Sequence, residues 1–493
     1  MQKTIANSAL ISKVIKLFEN ILPLTEYLCI NATQMNTTRQ QYLKSEWNQY
    51  PFLELKVFTV RDFLKHFAKL NSGEKKIKTD DFWVAGRIFK GEAQNGVHYS
   101  IESQDETLTL DFSSNCKLSQ KYPNDEILST GDHVLVRGYW NEVQVEGFEV
   151  RVKTIRAHSL QLLAPSHEPY YLENFNFKRS KQWQHFLKLI RKTFEVLDFT
   201  EVHTPTLLKA PGTEPFLDFF KTDLKINKSK ETYYLPTSPE LHMKKLISAG
   251  WTRIYEIKNC FRNNEVSEHH QPEFWMLEWY RAYSPFDALV KDIQGILNYL
   301  KLHWPHPIVG HGLLKITTVA ELFQEHCEFE LTPKTTKEEL VNLAKKLAIS
   351  VSKDDSWNDI FFRIFLEKIE LSLGYDAPTI VKNYPPSQAA LARINPDGWA
   401  DRFELYWKGL EIANAFHELN DPEEQLRRFK EEIAFRKNRS GEEIPVDEEF
   451  MTALRAGFPP TAGIALGLDR LFMALVDIKD ISKTRAFPIK SDQ

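Results

Sequence analysis

The sequence predicts an α+β protein with a helical region at residues 1–75, a small β-barrel at 80–163 and a large α+β domain at 172–493. Three changes of pattern predict this order. Apolar residues recur at helical spacing near the N-terminus, as at Ile11, Val14, Ile15 and Phe18. Apolar and polar residues alternate from about residue 80, which is typical of strands. After residue 172, helical stretches alternate with strand runs up to the end of the chain.

Composition excludes several classes of protein. The 63 basic and 67 acidic residues give a net charge of −4, so the chain as a whole is not driven toward nucleic acid or an anionic membrane. No apolar run approaches the roughly 18 residues of a membrane span, and lysines interrupt the N-terminal apolar stretch where a signal peptide would lie. The four cysteines are far apart and support neither a disulfide framework nor a zinc site: Cys29, Cys116, Cys260 and Cys327. A reduced, cytoplasmic protein is therefore expected.

The barrel region has the length of an OB fold, with roughly five short strands. OB folds often bind single-stranded nucleic acid through a basic groove. Residues 80–163, however, hold 13 acids and 8 bases, a net charge of −5. This charge disfavours phosphate binding, and a packing or docking module is the other interpretation. The proline-containing linker LLAPSHEPYY, at 162–171, separates the barrel from the large domain.

The stretch FRNNEVSEHHQPEFWMLEWY, at 261–280, is the first that carries chemistry. It is consistent with the end of one strand, a polar loop and an antiparallel second strand. Because strand side chains alternate between faces, Phe274, Met276, Glu278 and Tyr280 are expected on one face. A buried Glu278 would need a cationic partner, whereas an ordinary hairpin with a solvated loop would need none.

The stretch KGLEIANAFHELND, at 408–421, places Glu411 and Glu418 seven residues apart among small and apolar residues. Two carboxylates in such a setting suit a magnesium site if the backbone brings them to one cation. A solvated acidic helix is the alternative interpretation.

The stretch TAGIALGLDRLFMAL, at 461–475, is a glycine-containing strand that runs into a helix. Gly463 and Gly467 would let a ligand approach the backbone, with Arg470 beside the opening. Together the three stretches indicate a nucleotide triphosphate site that is neither a P-loop nor a dinucleotide fingerprint. It would suit attack of a carboxylate on the α-phosphate, with Arg262 neutralising that phosphate and Arg470 holding the γ end.

These stretches, in this order, resemble the three motifs of class II aminoacyl-tRNA synthetases. EVHTPTL at 201–207 resembles the first motif, which forms a dimer element, and the resemblance covers residues 172–493. It implies an antiparallel sheet flanked by helices and a homodimer. TSPELHMKKL, PEFWMLEWY, GLEIANAFHELND and YPPSQAALARI are most similar to the elongation factor P lysine ligases, paralogs of lysyl-tRNA synthetase. That family activates (R)-β-lysine with ATP and transfers it to a lysine of elongation factor P.

The resemblance implies roles for individual residues, with Arg262 and Arg470 as the catalytic pair and ATP and Mg²⁺ as cofactors. It implies that ATP is bound by Arg262, Asn263, Asn264, Gln271, Phe274, Glu411, Ile412, Gly467 and Arg470. It implies that the amino acid is bound by Ser238, Glu240, Glu278, Tyr280, Asn414, Glu418 and Ala465. Glu411 and Glu418 are the expected metal ligands.

Some positions depart from the family pattern or divide it. The family usually has FRNEE where this chain has FRNNE, so Asn264 stands where a glutamate would contact adenine, and Glu265 could take that role. Gln271 replaces the usual asparagine. Ala465 stands where lysyl-tRNA synthetases have glycine, and its methyl group would favour a substrate with a shifted amino group.

Three functions therefore stay open at this point. The first is a lysine or β-lysine ligase acting on elongation factor P, supported by Ala465 and by the acidic barrel. The second is a lysyl-tRNA synthetase, supported by a barrel in front of the catalytic domain. The third is a non-catalytic paralog, supported by Asn264 alone.

Overall fold

The computed structural model describes residues 57–59, 82–93, 96–103, 106–112, 132–144, 151–164, 177–227, 229–308 and 312–489. The chain divides into two compact units, residues 1–178 and 179–493. The structure of each unit follows from its own sequence pattern.

The first unit contains a sheet that closes on itself. Its strands are β1 (Val57–Thr59), β2 (Phe82–Ala93), β3 (Gly96–Ser103), β4 (Glu106–Phe112), β5 (His133–Gln144) and β6 (Arg151–Ala164). They lie in the order β1-β2-β3-β4-β6-β5, and β2 also pairs with β5, so five strands form a ring. Inward-facing apolar side chains fill it, among them Val84, Ile88, Ile101 and Val136. The predicted small barrel is present, whereas its interpretation as an OB fold stays a prediction.

The predicted N-terminal helical region lies outside the described residues, apart from residues 57–59. These three residues form β1, which pairs in parallel with β2 through Val57↔Trp83. They are extended where helix was expected, in keeping with the strand preference of a Val-Phe-Thr sequence.

The second unit is organised around an eight-stranded sheet. Its strands are β7 (Thr200–Glu201), β10 (Arg253–Phe261), β11 (Glu273–Ala282), β12 (Lys315–Thr318), β13 (Thr379–Tyr384), β14 (Ala400–Trp407), β15 (Leu410–His417) and β16 (Thr461–Gly467). The order is β12-β13-β14-β15-β16-β11-β10-β7, antiparallel throughout except at the two ends. The predicted antiparallel sheet is thereby confirmed. A separate hairpin is formed by β8 (Lys221–Ile226) and β9 (Ser229–Tyr234).

Nine α-helices of the described residues surround this sheet. They are α1 (Phe177–Val196), α2 (Glu240–Ser248), α3 (Ala288–His303), α4 (Val319–Cys327), α5 (Lys337–Lys346), α6 (Trp357–Lys368), α7 (Pro422–Ser440), α8 (Glu448–Ala456) and α9 (Leu468–Val476). Helices α4, α5 and α6 pack together beside β13, and each begins with a capping box such as Thr336–Glu339.

The two faces of the sheet have different roles. On one face, Leu277 and Trp279 of β11 pack against Phe186, Ile293 and Phe472 of α1, α3 and α9, forming the main apolar core. On the other face, Tyr280 packs against α2 and α8. Glu278, two residues earlier on the same face of β11, lines a cavity. The alternation of side chains along β11 therefore separates core from site, because strand side chains have a period of two.

Two further expectations concern the cysteines and the membrane. Cys260 and Cys327, the two cysteines that the structure describes, are buried free thiols. Among the described helices, none combines the length and the apolar character needed to cross a membrane.

Candidate active site

A cavity of about 490 Å³ opens on the polar face of the large sheet. Strands β11, β15 and β16 form its floor. Helix α2, helix α7 and the loop between β10 and β11 contribute its walls. Most residues that the sequence predicted for the site line this one cavity, although they come from four separate stretches of the chain.

The strand register aligns the floor residues in rows. Ala465 of β16 lies opposite Glu278 on one side and opposite Asn414 on the other. One pair of residues further along, Gly463 lies between Tyr280 and Phe416. Three predicted substrate residues are thus neighbours across three strands, which sequence spacing alone could not show.

Gly463 is required by the protein's own side chains. A Cβ atom there would lie 2.2 Å from the carboxylate of Glu418 and 2.3 Å from the ring of Tyr280. The glycine therefore makes room for two site residues, not for a ligand as the sequence suggested. At Gly467, by contrast, an added Cβ would make only ordinary contacts.

A buried lysine holds the acidic end of the cavity together. Lys244 of α2 is 1% exposed, and its Nζ lies 2.5 Å from Oε1 of Glu240 and 2.6 Å from Oε2 of Glu418. Burial opposes its charge, but these two carboxylates outweigh burial and raise the pKa of Lys244. Lys244 therefore stays charged near neutral pH and holds the two acids in place, while burial raises the pKa of Glu418 to about 8 against the opposing effect of Lys244.

Glu278 lies next to this cluster and is 1% exposed. The Tyr280 hydroxyl donates to Glu278 Oε2 at 3.0 Å, whereas Oε1 has no hydrogen-bond partner among the residues described. Burial and the nearby Glu240 raise the pKa of Glu278 well above its usual range. An incoming ammonium group would therefore stabilise the ionised form of Glu278. Ser238 also lines the cavity, and its hydroxyl accepts from the backbone N–H of Glu240 at 3.3 Å.

The orientation of Asn414 follows from its partner. Arg402, buried beside it, donates Nε–H to Asn414 Oδ1 at 3.1 Å. Because a guanidinium only donates, the amide oxygen must face Arg402 and the NH₂ group must face the cavity. Asn414 therefore offers a donor, which suits a carboxylate.

The opposite end of the cavity is basic. The guanidinium of Arg262 lies over the ring of Phe274, with 5.0 Å between its central carbon and the ring centroid. Arg470 donates to the backbone oxygen of Glu411 at 2.9 Å, and its Nη2 lies 2.7 Å from Nε2 of His270. Burial and Arg470 lower the pKa of His270 to about 4, so a neutral His270 accepts from Arg470. Ile412 and Gly467 line the cavity beside Arg470.

The loop after β10 differs from the sequence expectation at three positions. Asn263 and Asn264 are exposed and do not line the cavity, whereas Glu265 does. Asn264 has φ 62°, a left-handed conformation that asparagine tolerates better than glutamate. Gln271 is buried, and its amide both donates to and accepts from the backbone of Ile489. Its amide therefore anchors the C-terminal segment.

Glu411 and Glu418 are not brought together on one cation. Seven residues of extended chain separate their positions by about 20 Å, and Glu418 is bound to Lys244. The prediction that both hold one metal ion is wrong for this reason. A bulge in β15, opposite the neighbouring β14 residues Leu405 and Tyr406, nevertheless lets the side chains of Glu411 and Glu418 face the same cavity. Burial and the carboxylate of Glu404 raise the pKa of Glu411. Of the two predicted ligands, Glu411 is the one that remains a candidate metal ligand. No cluster of three potential metal ligands occurs within the described part of the chain.

Sequence reasoning missed four groups that the fold brings to the cavity wall or its edge: Lys244, Glu214, Glu432 and His270. Lys244 was detectable in principle, because Glu240 and Lys244 are one helical turn apart. Glu214 and Glu432 are more than two hundred residues apart, and no local pattern links them.

Comparison with known proteins agrees with this geometry. The family model for class II tRNA synthetases (D, K and N) matches residues 173–491. The chain is 36% identical over 318 residues to the elongation factor P–(R)-β-lysine ligase of Haemophilus ducreyi, covering 64% of this chain and 93% of that protein. It is 37% identical over 327 residues to the ligase of the same name from Vibrio cholerae, covering 64% and 97%. The Photobacterium profundum ligase is 36% identical over 322 residues, covering 64% and 96%. The chain therefore belongs to the class II tRNA synthetases of the D, K and N group and, within that group, to the elongation factor P–(R)-β-lysine ligase family.

Proposed function

We propose that this protein uses ATP to activate lysine or (R)-β-lysine as an adenylate and transfers it to a lysine side chain of elongation factor P. The observation that carries the proposal is a single cavity with an acidic end at Glu278 and a basic end at Arg262 and Arg470. Carboxylates suit the ammonium groups of a diamino acid, and guanidinium groups suit a triphosphate. The relatives named above are ligases of this kind.

The activation step follows from this polarity. The carboxylate of the amino acid would attack the α-phosphorus of ATP, forming an oxygen–phosphorus bond as the bond to pyrophosphate breaks. Arg262 would stabilise charge on the α-phosphate, Phe274 would stack against adenine, and Arg470 would hold the γ-phosphate. Asn414 would donate its amide to the substrate carboxylate. Positioning and fixed charges would supply most of the rate.

Mg²⁺ is the expected metal, with Glu411 as the ligand that this chain provides. Its chemistry when bound would be to neutralise phosphate oxygens and to favour departure of pyrophosphate. Glu411 has an oxygen 3.7 Å from Arg470, so the metal and the arginine would act on the same phosphate chain.

Selectivity between the two amino acids would depend on Ala465. Its methyl group lies between Glu278 and Asn414, the two residues that would hold opposite ends of the substrate. A methyl group at this position is worth about 1–3 kcal/mol of discrimination, so it would bias the choice without fixing it.

The protein acceptor is favoured over tRNA by charge. The net charge of −5 at residues 80–163 would repel tRNA but could attract a basic protein surface. A closed barrel in the chain before the catalytic unit is the observation that favours the second candidate, a lysyl-tRNA synthetase. We also expect a cytoplasmic homodimer, since residues 201–207 resemble the dimer element of the class.

The proposal is tested by ATP–pyrophosphate exchange with L-lysine and (R)-β-lysine side by side, followed by acid-gel analysis of tRNA. Faster exchange with (R)-β-lysine and uncharged tRNA are expected. Lysine-dependent exchange with charged tRNA, and tRNA binding that weakens steeply with salt, would favour the synthetase. No exchange with either amino acid would indicate a non-catalytic paralog.

A further inference from the structure

The loop at residues 212–217 is fastened to helix α7 by hydrogen bonds that involve Glu432, Arg436 and Arg439 of the helix. The Thr213 hydroxyl donates to the carboxylate of Glu432 on α7. Arg436 donates to the backbone oxygen of Glu214 at 2.6 Å, and Arg439 donates to that of Pro215 at 2.9 Å. Because both arginines take backbone oxygens, the loop is held without using the side chain of Glu214.

Glu214 and Glu432 both line the cavity, and Thr213, next to Glu214 in the chain, is bonded to Glu432. The carboxylate of Glu214 lies over Gly212, where an added Cβ would be 2.1 Å from Oε2. That oxygen is buried and has no hydrogen-bond partner in the described residues. Oε1 of Glu278 and Oε2 of Glu418, in the same cavity, also have no hydrogen-bond partner among the described residues, but Glu418 Oε2 lies 2.6 Å from the Lys244 ammonium. The oxygens of Glu214 and Glu278 have no such cation and indicate two places for a donor, since buried acceptors are normally paired.

Charge distinguishes these two places. Lys244 already pairs with Glu240 and Glu418. Glu278 lies next to these residues, so we assign its free oxygen to the end of the cavity that binds the amino acid. Glu214 and Glu432 are close enough to influence each other's ionisation. Burial raises the pKa of Glu432 to about 7, Glu214 adds to the rise, and the Thr213 hydroxyl opposes it. Burial likewise raises the pKa of Glu214.

The transfer step needs a group of this kind. A lysine side chain has a pKa of about 10.4, so at neutral pH nearly every acceptor amine is protonated and has no lone pair for attack. An ester-forming synthetase has no such requirement, because its acceptor is a neutral hydroxyl. A carboxylate is an effective general base when its pKa lies near the working pH.

We propose that Glu214 and Glu432 form the acceptor-amine subsite, binding the ammonium group of the incoming protein lysine and taking one proton from it. This inference rests on the proposed function. In the step, the ammonium N–H bond breaks and the proton passes to a carboxylate oxygen. The nitrogen lone pair then forms a bond to the aminoacyl carbon, and the bond from that carbon to the AMP phosphate oxygen breaks. The electron pair leaves with AMP, and the second proton on nitrogen passes to the AMP phosphate.

The test compares E214Q and E432Q with E431Q, a matched control. Glu431 is the neighbour of Glu432 on α7, but its side chain is 63% exposed and pairs with Arg427. Two acceptors are given to the adenylate formed from ATP and (R)-β-lysine. One acceptor is elongation factor P, whose modification is measured by mass spectrometry. The other is hydroxylamine, whose nitrogen is unprotonated at neutral pH.

Transfer to elongation factor P is expected to fall about 10²-fold or more in E214Q and E432Q. Transfer to hydroxylamine should fall by a much smaller factor, since its nitrogen already has a free lone pair and no proton has to be removed before attack. E431Q should match the wild type with both acceptors. The hydroxylamine reaction also shows that each variant is folded and forms adenylate.

The pH profile supplies a second readout. The groups that face this pair are Glu240 on α2, Arg262 after β10, and Arg428 and Arg436 on α7. Wild-type transfer should rise with pH and level off above about 7, as Glu432 ionises. In E432Q it should keep rising about tenfold per pH unit toward the pKa of the free amine.

Three results would overturn the inference. Equal losses with both acceptors, together with a higher KM for (R)-β-lysine in exchange, would assign the pair to the amino-acid site. Unchanged transfer in both variants would remove any role. An E432Q profile that levels off as the wild type does would exclude proton transfer. Failure of the proposed function looks different, because the wild type itself would then not modify elongation factor P.

Discussion

Replacing Lys244 by methionine tests the account of the acidic end most severely. The ammonium lies 2.5 Å from Glu240 and 2.6 Å from Glu418, and Lys244 and Glu418 are each 1% exposed. Methionine keeps most of the side-chain volume but leaves Glu418 buried without its cation. Breaking a buried ion pair from one side costs about 3–5 kcal/mol. We therefore expect Lys244→Met to lower the free energy of unfolding by that amount at pH 7.5.

The assay is urea denaturation followed by circular dichroism, with Lys192→Met as the control. Lys192 is 52% exposed and pairs with Glu195, which is 68% exposed, so its loss should cost less than about 0.5 kcal/mol. The cost of Lys244→Met should also depend on pH. Burial already raises the folded-state pKa of Glu418 to about 8, against the opposing effect of Lys244, so removing the lysine raises this pKa further above its unfolded value. The penalty is then full above the folded-state pKa and shrinks as pH falls toward the unfolded value.

A double variant makes the reasoning refutable. Glu418→Gln, introduced into Lys244→Met, removes the unpaired charge and should recover part of the lost free energy of unfolding. If Lys244→Met cost less than about 1 kcal/mol and Glu418→Gln recovered nothing, the proposed pairing would be contradicted.

Three further changes test other parts of the structure. Arg470→Ala removes the donor to the Glu411 backbone and the proposed γ-phosphate contact, so KM for ATP in pyrophosphate exchange should rise about 10–100-fold; an unchanged KM would contradict that role. Ala465→Gly should shift the ratio of kcat/KM toward L-lysine by about 5–100-fold, and a shift toward (R)-β-lysine would contradict the assignment of its methyl group. Thr336→Ala breaks the capping box with Glu339 at the start of α5 and should cost about 1 kcal/mol of unfolding free energy, while exchange activity stays unchanged because α5 does not line the cavity.

The site residues that could be predicted from the sequence are those that a single strand arranges. The period of two along β11 suffices to place Glu278 and Tyr280 on one face and Leu277 and Trp279 on the other. The polar interruption of an otherwise apolar strand is a local signal. In the same way, the join of a glycine-containing strand to a helix is local, and it marks the position of Arg470.

What the sequence could not supply depends on pairing between distant segments. The separation of Glu411 from Glu418 follows from strand length, but the bulge that turns both toward the cavity depends on how β14 pairs with β15. Glu214 lies near Glu432 because Thr213 bonds Glu432, and because Arg436 and Arg439 bind the backbone of a loop far away in the chain. The left-handed conformation of Asn264 follows from the loop's own path. None of these features has a periodic signature.

The central claim is that the cavity activates a lysine-type amino acid for transfer to a protein amine. The most direct measurement is the intact mass of elongation factor P after incubation with this protein, ATP and (R)-β-lysine. The account predicts a gain equal to one lysyl residue, on one lysine, that requires ATP and is lost when Arg262 is replaced by alanine. An unchanged mass, in a sample where the amino acid is adenylated, would contradict the account.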